Sequence, residues 1–535
     1  MSAGAPVGYV ALVLHAHLPF IRHLEPAGAL EERWLFEAVA ECYIPLLSML
    51  ERLKAEGIPF RLTVSLSPTL MAMLDDPLLR SRCRQYLEAA VDLAERETAL
   101  MAGRPEERVA HFYLCHFRTV HRLYTQHFRE DLVGAFHRLA RKGCLDLITC
   151  AATHGFLPLY QHQPESVRAQ VLVGAGEFRR RFGHQPRGFW LPECGYFPGV
   201  DRVLREAGVE YCFLETHGLT HARPAPRRGC FSHGWTSAGV AVFGRDIPSS
   251  RQVWSAREGY PGDPWYREFY RDIGFERPPE HLGALAGPSG AGAFTGFKYW
   301  RVTGPTAEKA LYDPHMAEQT AARHAAHFLK QMSLHLARVA GMLPEGPPPL
   351  AVAPYDAELF GHWWFEGPLF LKHLARLAAR QDAVRFITPG DYLDRFPAGQ
   401  GELEPSASSW GALGYADFWC SEANHWIYRP LHRAGRRMAE LAHRYRAPGP
   451  AVRRALNQAA RELLLAQASD WPFLMQAGTA AEYARSRLTL HLERFSHLAD
   501  HLESGTLPRN EWLQRVEAED NLFPALSYTV YRPAS

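Results

Sequence analysis

The chain has 535 residues, 47% of them hydrophobic, and 59 Lys and Arg nearly balance 57 Asp and Glu. That length calls for a large barrel with additions, or for two or three domains. Near-neutrality excludes a nucleic-acid surface as the main function, because phosphate binding needs clustered positive charge. Nine scattered cysteines without a Cys-x-x-Cys pair exclude a disulfide framework and a structural zinc site.

The first residues read MSAGAPVGYVALVLHAHLPF. This apolar run is short and has no basic flank, so no secretory leader is expected. No stretch of about 20 apolar residues predicts a membrane span. The expectation is a cytoplasmic protein with reduced thiols, a monomer or small homo-oligomer.

Near-continuous apolar runs predict buried parallel strands at 9–14, 60–66, 145–150, 187–191, 210–214, 349–353 and 384–388. Helical patterns alternate with them, which implies βαβ units closing into a seven-stranded α/β barrel, a (β/α)7 fold. Residues 70–142 predict a helical insertion. Residues 218–300, rich in Gly, Pro, Arg and aromatics, predict an irregular lid, with 283–294 as a mobile loop. Helical patterns at 431–446, 450–468 and 479–503 predict a C-terminal α-helical domain from about 401 to 535, leaving 1–400 to the barrel.

In such a barrel, functional side chains follow the C-terminal ends of strands. His15 and His17 follow the first predicted strand, His154 the third, Glu193 the fourth and Asp356 the sixth. Two carboxylates at one barrel mouth are the minimum apparatus for glycoside chemistry, one as nucleophile and one as acid and base. The three histidines also allow a metal site of the kind a polysaccharide deacetylase uses. Alternate residues of an extended strand point to opposite faces, so His15 and His17 converge only at an irregular strand end. Hydrogen bonding to sugar hydroxyls is the preferred reading, with no metal and no cofactor. The 13 tryptophans suit flat sugar faces, although composition alone favours the packed core as their place. Trp410 and Trp419 open the C-terminal section and are candidates for sugar contact.

HAHLPF (15–20), ATHGFLPL (152–159), WLPECGY (190–196), PYDAELFGHWWFEG (354–367), SSWG (408–411) with Trp419, and ASDWPFLM (468–475) resemble the ordered motifs of glycoside hydrolase family 57. The resemblance spans essentially the whole chain and is closest to the members that branch α-1,4-glucans. It implies a (β/α)7 barrel, a retaining double displacement without metal, and a C-terminal helical domain that contributes to the glucan cleft. By motif, Glu193 is the implied nucleophile and Asp356 the implied general acid/base. His15 and His154 line the implied donor subsite. Trp254, Trp410 and Trp419 contact the chain, and Asp470 lies at the rim. Amylase or 4-α-glucanotransferase activity within the same family is the nearest alternative, and a non-catalytic glucan-binding protein a more distant one. Branching members carry a loop tyrosine associated with transfer over hydrolysis. The corresponding stretch, 229–246, has none, and Trp235 or Phe231 is expected to cover the site instead.

Overall fold

The computed structural model describes residues 6–25, 30–254, 259–304, 306 and 308–532. Residues 255–258 of the expected lid lie outside it. Nine strands form the sheet: β1 (Gly8–Ala16), β2 (Leu62–Leu66), β3 (Leu145–Cys150), β4 (Gly188–Trp190), β5 (Tyr211–Leu214), β6 (Gly234–Trp235), β7 (Ala241–Gly244), β8 (Leu350–Asp356) and β9 (Val384–Phe386). The order is β6-β7-β5-β4-β3-β2-β1-β8, with β9 on β1. Every pairing is parallel except β6 with β7. The sheet curls until its ends meet: Asp246 N–H, just past β7, donates to the Val352 carbonyl of β8 at 2.8 Å. Seven parallel strands thus make the ring, and their apolar runs are buried between helices outside and side chains inside.

The fold class agrees with the sequence expectation, but one ring strand differs. The expected strand at 384–388 is β9, which pairs only with Gly8–Val10. There it shares an edge of β1 with β2, which takes Val13–Ala16. The missing ring strand is β7, inside the stretch read as an irregular lid. It is four residues long, too short to show as an apolar run between Gly239 and Gly244. β6 plugs the opposite gap: Trp235 pairs with Ala241 at the N-terminal start of β7, and Leu350 N–H, at the start of β8, donates to the Phe231 carbonyl at 2.9 Å. The stretch 283–294 is tied down, not free. Leu285 is buried, and the Arg33 guanidinium donates to the Leu285 and Ala286 carbonyls at 2.8 and 2.9 Å.

Helices Pro68–Asp75, Pro77–Leu100, Glu107–Arg122 and Leu132–Arg141 fill the insertion between β2 and β3. The first two begin at Ser-Pro and Asp-Pro. Ser67 Oγ and Asp76 Oδ1 accept free backbone N–H groups of the first turn, and the prolines need no partner there. Helices Tyr428–Arg444, Pro450–Ala466, Asp470–Ala477, Ala481–Glu503 and Asn510–Glu519 follow the barrel. Among the described residues no helix is long and apolar enough to cross a membrane.

The helix Pro164–Phe182 packs directly onto the end of β3, and Gly174 permits it. A Cβ there would stand 2.2 Å from the Cys150 carbonyl oxygen. Gly174→Ala should therefore destabilise the protein by about 1–3 kcal/mol, the cost of overpacking, read as a lower urea midpoint. An unchanged midpoint would show that the helix can shift freely away from β3.

Candidate active site

Because the ring strands are parallel, their C-terminal ends share one face of the barrel. Six of the expected residues meet there: His15, His17, His154, Glu193, Asp356 and Asp470. Glu193 sits in a short 3₁₀ turn, Pro192–Cys194, after β4. Its φ is 59°, and the neighbouring Cys194 is also left-handed at 52°. Side chains other than Gly adopt this region at a cost, and it marks functional positions when surrounding bonds enforce it. Trp410 supplies those bonds. Its backbone N–H donates to the Glu193 carbonyl at 2.9 Å, and its indole Nε1–H donates to Glu193 Oε2 at 2.5 Å. Trp410 is itself wedged against Trp190, edge to face at 5.1 Å.

Asp356 ends β8, in register beside His15 of β1. Burial pushes its carboxyl up to about 6, against the lowering influence of His17 and Arg245. Burial pushes Glu193 up to about 8; the Trp410 and Ser469 hydrogen bonds lower it, and the charges of Asp356 and Asp470 add to the rise.

The histidines form a connected stack. β1 ends at Ala16, so His17 lies past the regular strand. The irregular end brings its ring to 5.7 Å from His15. His17 stacks on His154 at 3.9 Å and 16°. Ser67, the helix cap, also fixes His17: their Oγ and Nδ1 are 2.9 Å apart. His17 Nε2 reaches Asp470 at 3.1 Å. His15 Nδ1 lies 3.1 Å from Ser65 Oγ, and its Nε2 2.9 Å from His154 Nε2. His154, left-handed at φ 57°, places Nδ1 2.7 Å from Ser469 Oγ and 3.7 Å from Glu193 Oε1. Burial lowers the pKa of both His15 and His154 well below the ordinary value, and the neighbouring rings add to it. Two neutral imidazoles thus link Ser65 to Ser469 beside the Glu193 carboxyl.

Of the three sets of possible metal donors among the described residues, two lie at this face: His15, Cys150 and His154, and His17, His154 and Asp470, each within 4.8 Å of one another. A metal ion lies in the plane of each imidazole that binds it, about 2 Å from the nitrogen. The rings of His17 and His154 are nearly parallel and stacked face to face, so one ion cannot lie in both planes. His15 and His154 spend their facing nitrogens on each other. The donor set fits hydrogen bonding, and no step is routed through a metal.

The aromatic expectations divide. Trp254 ends the helix Ile247–Trp254, is 38% exposed and meets Trp410 edge to face at 6.4 Å; it has a face to offer a sugar. Trp410 holds Glu193, as described. Trp419 differs from expectation: it is 2% exposed and stacked on Phe156 at 4.7 Å, so it supports the wall and presents no face to a ligand. Trp235 differs more. It sits at the N-terminal end of β7, the opposite end from Glu193, and its Nε1–H donates to the Pro397 carbonyl at 2.8 Å. It cannot cover the site, and Phe231 lies at the same far end, bonded to the start of β8.

Sequence reasoning missed Arg245, which follows β7. It bonds Glu215 Oε2 at 2.9 Å and lies 5.6 Å from the Trp410 ring. The strand-end filter would have found it had β7 been recognised. Also missed was Glu358, buried two residues past Asp356. It accepts the Tyr43 hydroxyl at 2.5 Å and the His17 N–H at 3.2 Å.

Comparison with known proteins gives these features a context. Residues 11–284 match the model of glycosyl hydrolase family 57, and residues 430–531 match that of the 1,4-alpha-glucan branching enzyme C-terminal region. A 1,4-alpha-glucan branching enzyme of Thermococcus kodakarensis is 34% identical over 92% of this chain and 74% of its own length. Its crystal structure, in complex with glucose and additives, superposes with a TM-score of 0.88 at 32% identity, covering 99% and 97% of the two chains. The structure described as the novel alpha-amylase AmyC of Thermotoga maritima superposes with a TM-score of 0.92 at 40% identity, covering 99% of both chains. With the barrel, the carboxyl pair and these matches together, the chain belongs to glycoside hydrolase family 57.

Proposed function

We propose that the protein is a 1,4-alpha-glucan branching enzyme, which cleaves an α-1,4 bond with retention and transfers the chain to a 6-hydroxyl. The observation that carries this reading is the half-buried pair Glu193 and Asp356 at the barrel mouth, in a chain whose residues 430–531 match the branching-enzyme C-terminal model. That C-terminal part also reaches the site: Ser469 bonds His154, and Asp470 bonds His17. This supports a division into a catalytic barrel to about residue 400 and a helical domain that completes the cleft. The reading assigns the enzyme to glycogen synthesis in the cytoplasm, as a monomer or small homo-oligomer acting on an α-1,4-glucan.

In the proposed mechanism the Glu193 carboxylate attacks the anomeric carbon while Asp356 gives its proton to the departing glycosidic oxygen. A glucosyl ester forms on Glu193. Asp356, now a carboxylate, takes the proton of the incoming 6-hydroxyl as that oxygen displaces Glu193. Burial raises both carboxyls, Glu193 to about 8 and Asp356 to about 6, so near neutrality the free pair carries one proton. The reaction needs it on Asp356. A bound donor supplies the drive: the glycosidic oxygen accepts from the acid, and positive charge growing at the anomeric carbon favours a carboxylate beneath it. The Trp410 N–H and the Ser469 hydroxyl favour the charged form of Glu193 in the same way.

Azide rescue separates this assignment from its reverse, with Asp356 as nucleophile. Glu193→Ala and Asp356→Ala should each lower kcat by roughly 10³-fold or more. With an α-maltooligosyl fluoride and azide, Glu193→Ala should release the β-azide and Asp356→Ala the α-azide. Exchange of the two anomers between the variants would reverse the roles.

One proton on the pair is the active form, so kcat/KM should be bell-shaped. It falls below about pH 6, where Asp356 protonates while Glu193 still holds its proton, and above about pH 8, where the last proton leaves. A profile flat from pH 5 to 9 would remove the pair from the rate-limiting chemistry.

Hydrolysis is the second reading. It is favoured by the similarity to a structure described as an alpha-amylase and by the placing of Phe231 and Trp235 at the starts of β8 and β7, the end of the barrel away from Glu193. Incubation with amylose decides between them: branching produces new α-1,6 linkages in excess of new reducing ends, and amylase action produces reducing ends alone. Trp235→Ala should lower stability by about 2 kcal/mol and leave the ratio of the two products unchanged. A changed ratio would restore a covering role to that tryptophan.

A further inference from the structure

Away from the catalytic carboxyls, one group of aromatic side chains is exposed and yet rigidly mounted. Trp363 is 55% exposed and lies seven residues past Asp356 in the same loop. The loop folds back on itself: Trp363 N–H donates to the Glu358 carbonyl at 3.2 Å, and Gly361 N–H to the Trp364 carbonyl at 2.8 Å. Gly361 is left-handed at φ 126°, and a Cβ there would stand 1.8 Å from the Glu41 carbonyl oxygen, so only glycine fits. His362 Nδ1 bonds Glu41 at 2.8 Å, and Arg267 bonds the same carboxylate at 2.9 Å. Burial opposes the Glu41 charge, but Arg267 and His362 hold its pKa well below the usual range. The residues on either side of the turn are therefore anchored in a buried ion-paired base.

One face of the Trp363 ring is covered. Phe269 stacks on it at 4.5 Å and 24°, and the buried Lys298 ammonium backs Phe269 at 4.0 Å. The exposure of Trp363 consequently falls on its other face and its edges. Tyr270, 74% exposed, stands edge-on to Phe269 at 5.2 Å. His362 spends Nδ1 on Glu41, which leaves Nε2 as its remaining polar atom. A flat aromatic face fringed by a hydroxyl and an imidazole matches the apolar face and ringing hydroxyls of a pyranose. Folding stability gives no reason to hold Trp363 and Tyr270 out in water on a rigid support, and contiguous exposed apolar groups mark binding surfaces.

We propose that Trp363, backed by Phe269 and flanked by Tyr270, is an auxiliary docking platform for an α-glucan chain, separate from the bond-cleaving centre. The inference rests on the α-glucan reading above. Seven residues of extended chain span at most about 25 Å, so the platform lies within that distance of Asp356. A long glucan held there has its remaining length at high local concentration near the carboxyls, whereas a short oligosaccharide occupies one place or the other.

The test uses full-length Glu193→Gln protein, in which turnover is blocked, with amylose and maltotriose as titrants in calorimetry. Adding Trp363→Ala should weaken amylose binding about five- to twentyfold, the scale of losing one aromatic anchor. Maltotriose affinity should stay within about twofold. Trp363→Tyr, which keeps a flat ring, should recover most of the amylose affinity. Unchanged amylose affinity in Trp363→Ala, with an unchanged melting temperature, overturns the proposal. So does an equal loss for both titrants, which would mean a general disturbance of the cleft. A shift from dimer to monomer in sedimentation, with glucan binding intact, would identify the face as a contact between copies of the chain and also overturn it. Absence of any glucan binding by the Glu193→Gln parent would instead defeat the α-glucan reading itself.

Discussion

Glu193 is gripped at both its carbonyl and its carboxyl by a single residue, Trp410, which arrives from more than two hundred positions later in the chain. The grip holds a non-glycine residue in the left-handed region, at a cost of order 1–3 kcal/mol. Burial then opposes the charge that the chemistry needs. These two expenses explain much of the surrounding architecture. β4 must end where it does to present Glu193, Trp190 must back Trp410, and the segment after residue 400 must return over the barrel mouth to deliver the indole. A barrel without that return would leave Glu193 free to relax into an ordinary turn.

The histidines follow from the same constraint. A protonated imidazole beside Glu193 would add a fixed positive charge to a site whose two carboxyls must hold different protonation states, one ionised as nucleophile and one protonated as acid. Burial keeps His15 and His154 neutral instead. Their nitrogens form a line from Ser65 to Ser469, so each ring's tautomer is set by the next. The stack is therefore held in place by hydrogen bonds and burial, without a positive charge of its own on His15 or His154. Stacking also explains why HxH at a strand end is a poor guide to metal here: both rings reach one face, but as parallel plates.

How much of this could be read from the residues depended on the length scale of each signal. Glu193 and Asp356 were legible because each follows an apolar run and lies in a polar segment that no core packing explains. His15 and His154 were legible for the same reason. β7 was not, because four residues between glycines carry no periodicity; Arg245 was lost with it. Trp235 and Trp419 could not be assigned from the sequence at all. A tryptophan beside glycines and charged residues reads the same whether its ring meets sugar or seals a wall, and only the long-range contacts to Pro397 and Phe156 distinguish these cases. Trp363 was visible only as one of two adjacent tryptophans. Trp364 is buried and Trp363 is exposed, a difference set by the turn at Gly361.

The position of the 229–246 segment changes how the fate of a glucosyl ester must be argued. Water is present at about 55 M, so transfer to a sugar wins only if the acceptor is held at a higher effective concentration or water is kept out. In this chain the two aromatics expected to exclude water, Phe231 and Trp235, pair with the starts of β8 and β7 at the far end of the barrel, and only Arg245 of that segment reaches the mouth. Beside Glu193 stand Trp410, which belongs to the 408–415 turn, and Trp254, which meets the Trp410 ring edge to face. That turn is fixed at its base, where Ser409 N–H donates to the Gly414 carbonyl and Trp410 grips Glu193. Its tip carries Leu413 and Tyr415, both exposed. A fixed base with an apolar and a phenolic side chain at the tip can shed water and orient a hydroxyl, the two tasks of a lid. It differs from a lid in being built on the residue that holds the nucleophile, so cover and nucleophile position are coupled through Trp410. Selection between water and sugar is then inseparable from the geometry of bond cleavage, and discrimination has to come from how firmly the acceptor chain is held beyond the site.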